Sequence, residues 1–288
     1  MPSGNIRTVA IVGTGLIGCS FALAIKQAGF AGELFGISSP AAIDAALRAG
    51  AISRAASLEE AASRADLIYL AQPVDRILAT LRALGSLVRP DCLITDAGST
   101  KAEIVRTAGE SRSSSVFLGG HPLAGKEQRG AEAANASLFR GRPYVLTPAS
   151  PVHPPHFAEF LNWLKRIGAR IVEMTPAEHD AAVAFTSHLP QILSTALAET
   201  LQRQENPELR RVFGPGLLDM TRLALGGAGL WTSILASNRE CVVAALDAFL
   251  DSLQEVRDAI QKGDIAPFFH SAAQFAAVIR KLDHETRA

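Results

Sequence analysis

The chain of 288 residues has only three cysteines, Cys19, Cys92 and Cys241, odd in number and far apart. That spacing excludes a disulfide framework and a zinc knuckle, and it fits a reducing cytoplasm. An excess of one charge is also missing. Lysine plus arginine total 28, and so do aspartate plus glutamate. There is no electrostatic footprint for nucleic acid, which leaves only local basic pockets for a small anion. No apolar run reaches the roughly 18–20 residues of a membrane span without a charge. The stretch Leu217–Ala236 comes nearest, but Asp219 and Arg222 interrupt it, and it reads as buried helix. The segment Met1–Val12 has no charged lead followed by a long apolar run, which argues against a signal peptide. The expectation is a cytoplasmic protein with neither nucleic-acid nor membrane partners.

What the chain does have is apolar residues, 48% of the total, and enough length for two compact domains. In the first half, short β-rich runs alternate with helix-period stretches. Thr8–Val12, Glu33–Ile37, Leu67–Leu70 and Cys92–Thr95 read as strands, with helices at Leu16–Gly29, Pro40–Gly50 and Val74–Leu87 between them. Val116–Gly119 and Pro143–Thr147 add later strands. This βαβ repetition predicts a doubly wound parallel sheet with helices on both faces. The texture changes at the proline-rich stretch Pro148–His156. Beyond it, Ala177–Gln202, Pro207–Leu225, Leu230–Lys262 and Pro267–Lys281 carry the helical period. The reading is an α/β domain over 1–152 and an all-helical domain over 153–288.

Directly after the first strand, Gly13-Thr14-Gly15-Leu16-Ile17-Gly18 reads G-x-G-x-x-G and opens a helix. The first glycine permits a tight turn, the second a close approach to a pyrophosphate, and the third close helix–strand packing. The helix N-terminus offers N–H groups and positive partial charge to phosphate. In this strand–turn–helix context the motif predicts a Rossmann domain. Gly13, Gly15, Leu16, Ile17 and Gly18 are the expected cofactor-binding residues. The second strand usually ends in an acid that holds the adenosine ribose. Here it ends in Ser38-Ser39, which removes the repulsion against a 2′-phosphate, so NAD or NADP is the expected cofactor. The competing role for these serines is to cap the next helix.

Two further segments follow predicted strands, where open α/β sheets place ligands. One is Asp96-Ala97-Gly98-Ser99-Thr100-Lys101. The other is Gly119-Gly120-His121-Pro122-Leu123-Ala124-Gly125-Lys126-Glu127. His121 reads as a loop histidine beside the nucleotide site, a candidate acid–base group.

Together with Leu138–Pro148 (LFRGRPYVLTP), Thr186-Ser187-His188-Leu189-Pro190 and Asp219–Ala224 (DMTRLA), these segments resemble the prephenate/arogenate dehydrogenase family, in the same order along the chain. The resemblance implies a Rossmann domain plus a helical domain that forms a homodimer. It also implies oxidative decarboxylation of a cyclohexadienol, with hydride passing to the nicotinamide, in tyrosine biosynthesis. It makes His121 the catalytic histidine on the substrate hydroxyl, with Ser99 orienting it. Arg222 becomes the grip on a substrate carboxylate, His188 a polar wall of the pocket, and Lys126 a substrate contact. For Ser99 the competing role is a helix N-cap, and for Lys126 a solvated loop charge. Met220, Leu223 and Leu225 surround Arg222 with apolar sequence, which predicts a partly buried cation needing an anion. Gln191 departs from the pattern, because several family members carry a second histidine there. Glutamine can bond a keto or an amino group, so prephenate and arogenate both stay open as substrates.

His153 and His156 bracket two prolines in a geometry poor for a metal, and none is expected. His179, His270 and His284 have no motif context. The apolar helices of the second half exceed what one small domain buries, which independently predicts a homodimer. Two other readings compete. A β-hydroxyacid or pyrroline-type reductase would commonly use a lysine on a helix of the second domain. A non-catalytic NAD(P)-binding sensor would have no need of His121, Ser99 and Arg222.

Overall fold

The structure is a computed structural model, and it describes residues 5–111, 115–126, 128–148 and 156–287, the side chains of 286 and 287 excepted. It divides into two units, residues 1–180 and 181–288. The first unit runs β1 (Thr8–Val12), α1 (Leu16–Gln27), β2 (Glu33–Ile37), α2 (Pro40–Arg48), β3 (Arg54–Ala55), α3 (Leu58–Arg64), β4 (Leu67–Leu70) and α4 (Val74–Leu84). It continues with β5 (Leu93–Asp96), α5 (Ala102–Glu110), β6 (Val116–Pro122), β7 (Pro143–Pro148), α6 (Phe157–Arg166), β8 (Arg170–Glu173) and α7 (Pro176–Val183), whose last turn crosses the division.

The eight strands form one sheet in the order β3-β2-β1-β4-β5-β6-β7-β8, parallel except where β7 runs against β6. The order reverses at β1 and β4, the switch point where such sheets open a ligand crevice. Central strands are covered on both faces, so β4 (LIYL) is buried at every residue and reads as a continuous apolar run. Phe21 of α1 stacks on Tyr69 of β4 with ring centroids 4.1 Å apart. The Tyr144 hydroxyl donates to the Tyr69 hydroxyl at 3.1 Å, and Phe160 of α6 meets the Tyr144 ring edge-on. Full burial of one such ring is worth about 2–3 kcal/mol.

The division falls later than the 152/153 boundary expected from the proline-rich stretch, most of which lies outside the described residues. α6 buries Phe160 and Leu164 in the sheet's core, and β8 pairs with β7 from Pro143↔Arg170 onward. Residues 157–180 therefore complete the first unit. β8 (RIVE) escapes a sequence reading because it is short and half exposed.

The second unit is helical: α8 (Leu189–Gln202), α9 (Pro215–Thr221), α10 (Ala228–Ser237), α11 (Arg239–Lys262) and α12 (Ala266–Arg287). The expected single helix over 177–202 is interrupted by one π-helical turn, Ala184–His188. Pro190 has no N–H to donate to the Thr186 carbonyl, so the regular bond cannot form there. The expected helix over 230–262 breaks at Asn238, which leaves the helical conformation between α10 and α11. No described helix is long and apolar enough to cross a membrane.

Candidate active site

Strand register aligns the motif-bearing connections along one edge of the sheet. Val12 is level with Ile37 and Leu70, and Leu70 is level with Asp96. β6 pairs with β5 as far as Leu118 and then runs on against β7. Gly13, Ser38, the Gly98–Ser99 turn and His121 thus stand at the carboxyl ends of β1, β2, β5 and β6.

The glycine loop has the shape that a dinucleotide requires. Gly13 sits at φ +96°, and a Cβ there would lie 2.4 Å from the Ala71 carbonyl oxygen. A Cβ on Gly18 would lie 2.2 Å from the Gly13 oxygen, so α1 packs tightly on the turn. A Cβ on Gly15, by contrast, would meet nothing within 4 Å. That side of the backbone is open, and no side chain caps the α1 N-terminus. The buried Thr14 hydroxyl has no protein partner. Uncapped N–H groups above an open backbone make a phosphate cradle, and the residues present fit a dinucleotide. Leu16 and Ile17 are half-buried in the first turn of α1. Ser38 and Ser39 are exposed at the end of β2. Ser39 occupies the N-cap position of α2, but its side chain makes no capping bond. Both hydroxyls remain available to a ligand.

His121 is not a loop residue as expected. It lies on β6, paired with Val145, and is buried. Its Nδ1 lies 2.8 Å from Nε2 of His179, and Nδ1 of His179 lies 2.7 Å from Oδ1 of Asp180. Asp180 in turn accepts the N–H groups of Lys101 (2.7 Å) and Ala102 (2.8 Å). The N-terminus of α5 is therefore capped by Asp180. Ser99 lies before that helix, half-buried, and is not its cap. His179 and Asp180 were beyond sequence reasoning: a His–Asp pair outside any motif carries no signal until the fold brings it 58 positions back to His121.

A second buried network supports the same strands. Lys101 Nζ donates to Asp96 Oδ2 and, at 2.8 Å, to the Gly120 carbonyl. Asp96 also accepts the N–H groups of Gly98 (2.8 Å) and Gly120 (3.0 Å). Burial pushes the Asp96 carboxyl up and the Lys101 ammonium down, and their mutual attraction opposes both shifts. Breaking either partner would leave an uncompensated buried charge. Lys126 is exposed past β6, and Glu127 lies outside the described residues.

In the helical unit, His188 is buried at the end of the π-helical turn. Its Nδ1 lies 3.3 Å from the Asn238 side-chain amide, and its ring meets Trp231 edge-on. Gln191 is buried and its Nε2 donates to the Leu223 carbonyl at 2.7 Å. The Ser194 hydroxyl accepts the Ala224 N–H at 3.0 Å. These two bonds clamp the turn Arg222–Leu225 to α8. Arg222 itself is exposed, not partly buried as expected, because its apolar neighbours Met220 and Leu225 are exposed with it.

A phosphate cradle at the switch point, with a buried histidine on the same edge, defines an NAD(P)-dependent dehydrogenase. Residues 21–173 match the family model for the prephenate dehydrogenase nucleotide-binding domain, and residues 175–274 that for its dimerization domain. The chain is 34% identical over 268 residues to prephenate dehydrogenase of Bacillus subtilis, covering 91% of this chain and 72% of that one. The crystal structure of Aquifex aeolicus prephenate dehydrogenase in complex with hydroxyphenyl propionate and NAD+ superposes with a TM-score of 0.87. It is 28% identical, covering 96% of this chain and 99% of that one. Synechocystis arogenate dehydrogenase superposes with a TM-score of 0.78 at 30% identity, covering 95% and 99%. The chain belongs to the prephenate dehydrogenase family.

Proposed function

We propose that this protein catalyses the oxidative decarboxylation of prephenate to 4-hydroxyphenylpyruvate, with His121 as the group that takes the ring hydroxyl proton. The observation that carries this reading is the buried His121 at the carboxyl end of β6, its Nδ1 already committed to His179. The nicotinamide, when bound, supplies the hydride acceptor. Gly13, Gly15, Leu16, Ile17 and Gly18 are assigned to hold the dinucleotide, with Ser38 and Ser39 at the adenosine ribose. Two exposed hydroxyls and no carboxylate suit either NAD or NADP.

As hydride leaves the ring carbon, the hydroxyl O–H bond breaks and its proton passes to Nε2 of His121. The electron pair of the ring–carboxylate bond stays in the ring, which becomes aromatic as carbon dioxide departs. The proton then returns to the phenolic oxygen, so the histidine ends as it began. Ser99, half-buried on the next connection, is assigned as a donor or acceptor toward the same hydroxyl. Arg222 is assigned to a substrate carboxylate, with Gln191 and Ser194 holding its turn in place. His188 and Lys126 are assigned as further substrate-binding residues, as the family resemblance implies.

Arogenate is the second reading. Its support is Gln191, whose amide can bond a keto or an amino group, and the likeness to the Synechocystis enzyme. The exposed apolar residues of the helical unit, in a region matching a dimerization domain, support a homodimer. Free thiols at all three cysteines suit a cytoplasmic location.

The test is a steady-state assay of reduced-cofactor formation, pairing prephenate and arogenate each with NAD and NADP. Turnover should occur with at least one pair and fall by about 10²–10⁴ in His121→Asn. Cofactor binding without turnover in all four pairings would leave a nucleotide-binding fold without the proposed chemistry.

A further inference from the structure

The contacts around His121 go beyond a base at the sheet edge. We propose that His179 and Asp180 are positioning residues that fix His121 as the tautomer with its proton on Nδ1 and its lone pair on Nε2, and that they draw the incoming positive charge inward during the reaction. This rests on the reading of His121 as the proton acceptor.

The protonation states follow from the donors present. Asp180 accepts two backbone N–H groups at the N-terminus of α5, from Lys101 and Ala102. Helix N-termini favour an anion, and a carboxylate can accept both of these bonds and the one from His179. His179 must then donate through Nδ1, across 2.7 Å. A neutral His179 is left with a lone pair on Nε2. The 2.8 Å contact between that nitrogen and Nδ1 of His121 can only be a bond donated by His121. The reacting nitrogen of His121 is therefore Nε2 in its basic form. In water, neutral histidine has no partner to enforce either tautomer.

The same chain can absorb charge. When the substrate O–H bond breaks and Nε2–H forms, His121 becomes an imidazolium. Its Nδ1 proton then moves along the hydrogen bond to Nε2 of His179, which places the positive charge beside the Asp180 carboxylate. One proton enters and one shifts, with no change in oxidation state. When the phenolic oxygen takes its proton back, both shifts reverse. This is the logic of an acid–histidine pair behind a base, extended by one imidazole.

Lys101 ties the arrangement together from two sides. Its backbone N–H holds Asp180, while its Nζ holds Asp96 and the carbonyl of Gly120, the residue before His121. A Cβ on Gly120 would lie 2.6 Å from the Asp96 carbonyl oxygen, so β6 lies against β5 there with no room for a side chain. Among the described residues, Asp180 on its own helix bonds His179, and Lys101, which pairs with Asp96, holds Asp180 through its backbone N–H. The segment Asp96–Lys101 acts as the frame that holds the two histidines in register.

The experiment combines nitrogen NMR of ring-labelled histidine with kinetics of His179→Gln and His179→Leu. Glutamine keeps an oxygen to accept the His121 bond but cannot take a proton, and leucine removes both functions. In the unsubstituted protein His121 should show the Nδ1–H tautomer, and His179→Leu should lose it. With a turned-over substrate, kcat should fall about 10²-fold in His179→Leu and less in His179→Gln, with KM little changed. The acidic limb of kcat/KM against pH should move to lower pH in both, because the imidazolium has lost its support. Reduced-cofactor binding reports whether each variant is folded. If a variant fails to fold, the spectrum of the unsubstituted protein still decides: an Nε2–H tautomer at His121 overturns the proposal. So does an unchanged kcat and pH limb in a folded His179→Leu. Absence of turnover with every substrate would instead sink the functional reading, and the tautomer would still test the relay.

Discussion

In the first unit Phe21, Tyr69, Tyr144 and Phe160 are all fully buried, whereas in the helical unit Phe213, Phe269 and Phe275 stand 58%, 71% and 69% exposed. Among the described residues, every exposed large apolar side chain except Leu47 and Leu87 belongs to the helical unit. Its own buried apolar cluster is Ala184, Val242 and Ala245, three small side chains. The first unit has a core that runs from α1 through β4 and β7 to α6. A sheet covered on both faces satisfies its own apolar residues, while long amphipathic helices leave an apolar stripe that needs a second surface. The difference says that the first unit finds its stability within the chain, and we propose that the second covers its apolar stripe with another copy.

The largest effect should come from cutting the same ring in the two regions. Phe21→Ala removes a ring stacked on Tyr69 and should cost about 3–5 kcal/mol, read as a lower urea midpoint with weakened cofactor binding. Phe275→Ala should cost far less than that in the folded chain, since its ring is mostly exposed. Equal losses at the two positions would break the comparison. A charge on the helical stripe should matter more than a truncation. Leu253→Asp with Phe275→Asp is expected to turn a dimer into a monomer in light scattering at micromolar concentration. The melting temperature of the unsubstituted protein should also rise with concentration, and that of the variant should not. A monomeric unsubstituted protein would remove the reason offered for the exposed stripe.

The same contrast governs what could be read from the sequence. Strands β1, β2 and β4 stand where the apolar runs predict them, because central parallel strands are buried on both faces and read as short continuous apolar runs. The glycine loop was legible because Gly13 and Gly18 meet a local steric demand and Gly15 leaves the backbone open. β8 was not, because Arg170–Glu173 lies at the sheet edge and alternates weakly. His179 carried no local signal, since its partner is 58 residues away and reaches it only through the packing of α7. Arg222 was read as partly buried from apolar neighbours, but apolar sequence on a helix predicts burial only if something within the chain covers it. Periodicity could place the helices of the second unit without showing the turn at Ala184–His188 or the break at Asn238, because both arise from single residues.

The smallest expected effect concerns the thiols that burial moves, and both lie in the first unit. Burial pushes the Cys19 thiol up to about 11 and the Cys92 thiol up to about 12, from an ordinary value of 9.0. A group whose pKa is raised by folding contributes stability that is fully present below its unfolded pKa and is lost as pH rises. Below pH 9 both states keep the proton, so stability should not depend on these groups. Between pH 9 and pH 10 the unfolded thiols ionise while the folded ones cannot, and each should cost on the order of 1 kcal/mol by pH 10. Tyr69 and Tyr144, also pushed up by burial, add to the slope mainly above that pH. Urea midpoints at pH 8, 9 and 10 should therefore fall over the last step. In Cys92→Ala the starting stability is lower, but the fall should shrink by about half, because one of the two thiols is gone. A midpoint that does not move between pH 9 and pH 10, or an unchanged slope in the variant, would mean that the core around Cys92 opens before the chain unfolds. The first unit would then not be the self-contained half of the molecule.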